Sequence, residues 1–337
     1  MRYLQAVSNN NKVKIDSKDK KILSLLSLNA RIPLTQISKK VSLSRDAVNY
    51  RITNLEKSGT IQGYRVVVDM SKLGYQNYHM FVRLNNPSPS MEKKIISKLT
   101  KHSFVRALIK FSGNFDFEIA LVVKDQQDLD LKISLLTNDF KNLIQDFEIL
   151  SIIKTYSSET FPPNFTDASF RQPSIQKKDK IKCDKKDIKL LKILGENASL
   201  PLHEIGHRIG LSADAVSYRM RNLIASGIII KFIPIINYTS LDYNLHTLLL
   251  NINNLDAKKE SLLSGFLSTN ENILWSVKTI GRFNVLIYIL VNKPEAFQQT
   301  LNELRSLFPN HISRYESLIA FEEYKYLYLP PNLNISF

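Results

Sequence analysis

From residue 16 onward the apolar positions change period, and the whole succession then starts again. Ile22, Leu23, Leu25 and Leu26 fall on one helical stripe behind Asp16, a residue able to cap a helix, and Asn29 closes the segment before Pro33. Leu34, Ile37 and Val41 mark a second short helix. Leu43-Ser44 makes a tight turn with Ser44 as N-cap, and a third helix runs from Arg45 to Ser58, with Val48, Ile52 and Leu55 facing inward and Gly59 at its end. After Gly59, alternation takes over. Tyr78, Met80, Val82 and Leu84 read as a strand, and a helix follows near Met91 to Lys101. Val105 to Phe111 and Phe117 to Val123 read as strands joined through Gly113. Leu129, Ile133, Leu136 and Phe140 mark another helix, and a last strand ends near Tyr156. Three short helices ahead of a β-α-β-β-α-β succession predict an α+β module, a helix-turn-helix unit followed by a ferredoxin-like domain.

The module occurs twice. Residues 16–164 and 184–332 align at a constant offset of 168 with no gap, so Asp19 matches Asp187, Asn29 matches Asn197, Tyr50-Arg51 matches Tyr218-Arg219, and Gly113 matches Gly281. A period this long exceeds that of solenoid repeats. Each copy should own a core, and the chain should imitate a homodimer. The predicted boundaries are an N-terminal tail at 1–14, helix-turn-helix units at 15–75 and 183–243, ferredoxin-like domains at 76–160 and 244–331, and a linker at 161–182. Pro173 and the run Lys177-Lys178-Asp179-Lys180 suggest that this linker is an extended tether.

Charge changes the picture because of where it sits. The net +15 falls entirely in the front half of each copy: residues 1–75 carry +9 and 171–243 carry +6, while 76–170 and 244–337 are each neutral. Basic front halves suit a polyanion such as double-stranded DNA. With Val48, Ile52 and Leu55 inward, the third helix turns Arg45, Asn49, Tyr50 and Thr53 outward, and the second copy presents Ser217, Tyr218 and Arg221. Asn and Arg can read base edges, whereas Ser, Thr and Tyr more often hold phosphates. Arg45 matches Ala213, Asn49 matches Ser217 and Thr53 matches Arg221, so two unequal half-sites are expected. Arg65 and Lys231, just past the third helices, are expected to meet the DNA backbone from the wing strands.

Together these residues resemble the Lrp/AsnC family of transcription regulators, twice over. The resemblance is carried by Asp16, Asp19, Ile22 and Leu23, by Asn29 to Leu34, by the run from Leu43 to Leu55, and by Gly59-x-Ile61; the second copy departs at Ser199 for Arg31 and Asp242 for Gly74. It implies two winged helix-turn-helix DNA-binding domains alternating with two RAM/AsnC-type domains that pair sheet against sheet. It also implies a possible small-molecule effector, such as an amino acid, near the loop Gly113, Asn114, Phe115 and Asp116, where a carboxylate can hold an ammonium group. In the second copy that loop reads Gly281-Arg282-Phe283-Asn284, which lacks the acid.

Two catalytic patterns compete. His203-Glu204-Ile205-Gly206-His207 spells a zinc-protease motif, but Ala213 stands where a third histidine would be required, and no Glu follows until Glu260. The first copy has Thr35 to Lys39 there, so neither a metal nor a cofactor is expected. Siroheme decarboxylases are similar in architecture, being built from paired modules of this type, and they stand as the alternative. They generally carry His, Tyr and Arg in the sheet strands, whereas 104–110 and 273–278 contain no histidine. The reading is therefore a regulator and not an enzyme. The single cysteine, Cys183, excludes an internal disulfide and is expected to be an unpaired exposed or half-buried thiol. The polar, Asn-rich start lacks the apolar stretch of a secretion signal, which predicts a cytoplasmic protein.

Overall fold

The computed structural model describes residues 13–140, 143–165, 183–330, 333 and 335. Most of the predicted tail and linker, with Pro173 and the lysine run, lies outside the described residues. In the first copy the helices are α1 (Ser17–Leu28), α2 (Leu34–Val41) and α3 (Arg45–Lys57), followed by strand β1 (Ile61–Val68). Asp16 caps α1 through a reciprocal capping box with Asp19. Ser44 caps α3 by accepting from the Ala47 amide at 3.1 Å. Next come β2 (Gln76–Leu84), α4 (Pro89–Leu99), β3 (Val105–Ser112), β4 (Phe117–Val123), α5 (Gln126–Phe140) and β5 (Ile144–Ser158). The second copy repeats the order with α6 (Lys185–Glu196), α7 (Leu202–Ile209), α8 (Ala213–Ala225) and β6 (Ile229–Ile236), and continues through β7 (Asn244–Ile252), α9 (Ala257–Thr269), β8 (Ile273–Ile280), β9 (Val285–Val291), α10 (Pro294–Leu307) and β10 (Ile312–Tyr326).

The two copies interlock at both levels. β1 and β6 form an antiparallel two-stranded sheet in which Ile61 faces Ile236 and Val68 faces Ile229, a register that maps onto itself when the copies are exchanged. The contacts around it are reciprocal as well. Ala30 N donates to Phe232 O at 2.9 Å, and Ala198 N donates to Tyr64 O at 3.0 Å. Ile235, Ile236 and Tyr238 of the second copy share a core with Ile22, Leu25 and Val48, while Val66, Val68 and Met70 of the first pack with Leu190, Leu194 and Val216. Each three-helix unit therefore buries its apolar face partly on the other copy's strand.

Below that pair, eight strands close a barrel in the order β10-β3-β4-β2-β5-β8-β9-β7. Each copy supplies four antiparallel strands, and its last strand crosses over: β5 pairs with β8, and β10 pairs with β3. α4 and α5 cover the outside of the first half around Met80, Val82 and Phe140, and α9 and α10 cover the second half around Leu248, Leu250 and Phe308. The crossing requires two glycines. A Cβ on Gly113 (φ +144°) would meet Leu318 Cδ2 at 2.8 Å, and one on Gly281 (φ +148°) would meet Ile149 O at 2.6 Å.

Cys183 differs from its expected exposure. It is 9% exposed and packs with Ile188 and Leu191 at the start of α6. Burial pushes its thiol pKa up to about 11, assisted by the nearby Asp187 and Asp184 carboxylates.

Candidate nucleic-acid interface

The third helix of each unit is held by its inward stripe and by one arginine. Arg51 Nη1 lies 2.8 Å from Asp16 Oδ2 and 2.8 Å from Asp19 Oδ1, and Arg219 Nη1 lies 2.7 and 2.8 Å from the matching Asp184 and Asp187. The residues that cap the first helix thus also fix the third, and Arg51 and Arg219 are occupied within the fold. Asp16 is held below its usual carboxylate range by the Asp19 amide, against a desolvation cost and with help from Arg51. A depressed carboxyl pKa contributes stability above the unfolded value, near 3.8, and loses it as pH falls through the folded value. Thermal melts between about pH 5 and 2 should therefore show wild type losing more stability than Arg51→Met. Equal losses would remove the ion pairs from the account.

The outward face is as the helical period places it. Tyr50 is 68% and Tyr218 62% exposed, Arg45, Asn49 and Arg221 are exposed, and Thr53 and Ser217 are half-buried. Lys39, Lys40 and Lys57 add exposed cations around the first recognition helix, where the second has His207, Arg208 and Ala225. The two faces therefore differ in charge as well as in hydrogen-bonding groups.

Arg65 and Lys231 are corrections. Arg65 is only 5% exposed, because β1 pairs with β6 and does not project as a free wing edge. Lys231 turns inward and donates to Ser158 O at 2.7 Å, and burial lowers its pKa. Neither faces a duplex. The loop Gly113 to Asp116 is also committed elsewhere. Asp116 Oδ2 accepts the Leu84 amide at 2.7 Å, Asn114 Nδ2 donates to Glu316 at 3.0 Å, and Phe115 is buried. Asn284 makes the matching contact to the Ile252 amide at 2.9 Å, and Arg282 pairs with Glu148 at 2.6 Å. Asn114 and Arg282 thus join the two copies, whereas Asp116 and Asn284 each brace a strand of their own copy, a task that a carboxylate and an amide perform equally well.

His203 and His207 lie exposed on α7, and Glu204 pairs with Arg208 at 2.7 Å along the same helix. No group of three metal-ligating side chains occurs among the described residues. No helix among them is long and apolar enough to cross a membrane.

Comparison with known proteins agrees with this geometry. The winged helix-turn-helix DNA-binding family matches residues 15–62 and 184–230. The HTH-type transcriptional regulator LrpA of Pyrococcus horikoshii is 37% identical over 117 residues, which is 34% of this chain and 80% of the relative. An uncharacterized HTH-type transcriptional regulator of Pyrococcus furiosus is 30% identical over 144 residues, 42% of this chain and 93% of the relative. The chain belongs to the Lrp/AsnC family. Each of these Lrp/AsnC relatives corresponds in length to one of its two modules. Over the full length, the siroheme decarboxylase NirDL has a similar fold, with a TM-score of 0.62 at 11% identity, covering 93% of this chain and 94% of that one. Two winged units, each followed by a βαββαβ domain and paired across the chain, are thus an arrangement this Lrp/AsnC protein shares with NirDL.

Two groups of residues escaped the sequence reading. Arg31 Nη1 donates to Ala198 O at 2.5 Å and Leu200 O at 3.0 Å, clamping one unit onto the other. Its mate is Ser199, so the unmatched arginine was the available signal. Inside the barrel, His79 and Tyr288 both bond the Glu118 carboxylate, and all three are buried. Their signal was a charge in the otherwise apolar run Phe117 to Val123.

Proposed function

We propose that this chain is a sequence-specific DNA-binding transcription regulator, a fused pseudo-dimer that reads two unequal half-sites, and not an enzyme. The observation that carries this reading is the exposure of two different polar faces on α3 and α8, held together by the self-matching β1–β6 pair. Excess positive charge in the same halves supplies the affinity, and the Arg45/Ala213, Asn49/Ser217 and Thr53/Arg221 differences supply the asymmetry.

Selection of bound sites from random duplex DNA tests it. Two non-identical half-sites about one or two helical turns apart are the expected result. Arg45→Ala and Arg221→Ala should each cost roughly 1–3 kcal/mol, and chiefly on the preferred sequence. A uniform loss on all sequences would reassign them to phosphate contacts, and enrichment of no sequence would defeat the reading. The full-length fold likeness to NirDL supports a second reading, a siroheme decarboxylase-like enzyme. A shift in tetrapyrrole absorbance on mixing, with no DNA bound, would favour it.

A further inference from the structure

Between the β1–β6 pair and the mouth of the barrel lies a chamber of about 220 Å³. Its roof is Val67, Val68 and Ile230, and its floor and walls include Asn77, His79, Arg106, Trp275, Tyr288 and Tyr328. His79, 2% exposed, stacks on Trp275 at a centroid distance of 5.6 Å, and Trp275 packs against Tyr288 at 4.8 Å. Glu118 fixes His79 through Nδ1, which leaves Nε2 buried and without a hydrogen-bond partner. Asn77 Oδ1 and Arg106 Nε are likewise buried and unpartnered. Such atoms are costly to leave dry, and their convergence on one cavity points to an occupant.

The pseudo-symmetry provides an internal control. The mates of Asn77, His79, Arg106 and Glu118 are Leu245, Thr247, Leu274 and Leu286, and those of Trp275 and Tyr288 are Ala107 and Ala120. Beside Leu245 and Leu274 the space shrinks to about 50 Å³. A polar set needed only to hold the fold together would be required in both halves. Here it is built once.

We propose that this chamber binds a small aromatic carboxylate that also carries a hydrogen-bond donor. Arg106 meets the carboxylate, His79 Nε2 and Asn77 Oδ1 accept from the donor, and the aromatic body lies among Trp275, Tyr288 and Tyr328. The volume suits a ligand of about a dozen non-hydrogen atoms, or roughly seven waters, and falls below the ~300–1,000 Å³ of sites for larger molecules.

Trp275 is the only tryptophan, so its emission reports on the chamber directly and without DNA. Titration of the full chain with para-hydroxybenzoate should change that emission saturably, and the uncharged para-hydroxybenzamide should bind about 10- to 100-fold more weakly. Arg106→Leu, which installs the residue the fold already carries at position 274, should weaken binding by a similar factor. Should it fail to fold by circular dichroism, Asn77→Leu serves the same purpose. No saturable change means a chamber holding only water and overturns the proposal, as does equal binding of the amide or undiminished binding by the folded variant. DNA-site selection is a separate measurement, so either reading can fail alone.

Discussion

Raising the salt concentration from about 50 to 200 mM is expected to weaken DNA binding by roughly 100- to 200-fold, given about four neutralised phosphates and a slope near 0.9 per phosphate. The estimate of four rests on cations that the fold leaves outward, Lys39, Arg45 and Lys57 on the first unit and Arg221 on the second, whereas Arg208 is engaged by Glu204. Arg51, Arg219, Arg65 and Lys231 contribute nothing to the slope, because they are bound or turned inward. Affinity measured by anisotropy across a salt series tests this. A flat dependence would mean that the basic front halves do not face a polyanion.

Gly281→Ala should destabilise the chain by about 2–6 kcal/mol, combining backbone strain at φ +148° with overpacking. The methyl group would press on Ile149 O, a backbone atom of β5, which is held in the barrel by its pairing with β2, so relief requires moving a strand. Gly113→Ala should cost less, since the nearest atom there is a Leu318 side-chain methyl that can rotate away. Because Ile149 and Gly281 belong to different copies, denaturant unfolding of Gly281→Ala should lower stability in one concerted transition. A loss confined to a separate second phase would contradict the shared barrel.

The elements themselves were legible because their stops are local. Asp16, Ser44 and Gly59 bound helices by chemistry that a single segment contains, and α4 at Pro89–Leu99 lies two residues from its predicted span. The pairing between copies was not legible. β1 carries the same pattern whether its neighbour is a wing strand of its own unit or β6, and only that choice decides whether Arg65 and Lys231 face water. The chamber was hidden for a related reason. Alternation in Tyr78 to Leu84 implies one buried face, yet closure of the barrel buries the other as well, which turns His79 from a solvent-facing residue into an interior one. Asp116 was legible as a loop acid but not as the partner of the Leu84 amide, because that contact joins residues far apart in the chain.

The crossing of β5 and β10 into the opposite half has an evolutionary consequence. A protein that assembles from identical subunits receives every mutation on both sides of its axis, and it can exchange subunits with any close relative in the same cell. Here the first lobe always meets the second, so a substitution such as Leu274 opposite Arg106 is inherited on one side alone. Specialisation of one lobe is thereby shielded from dilution by mixed assemblies.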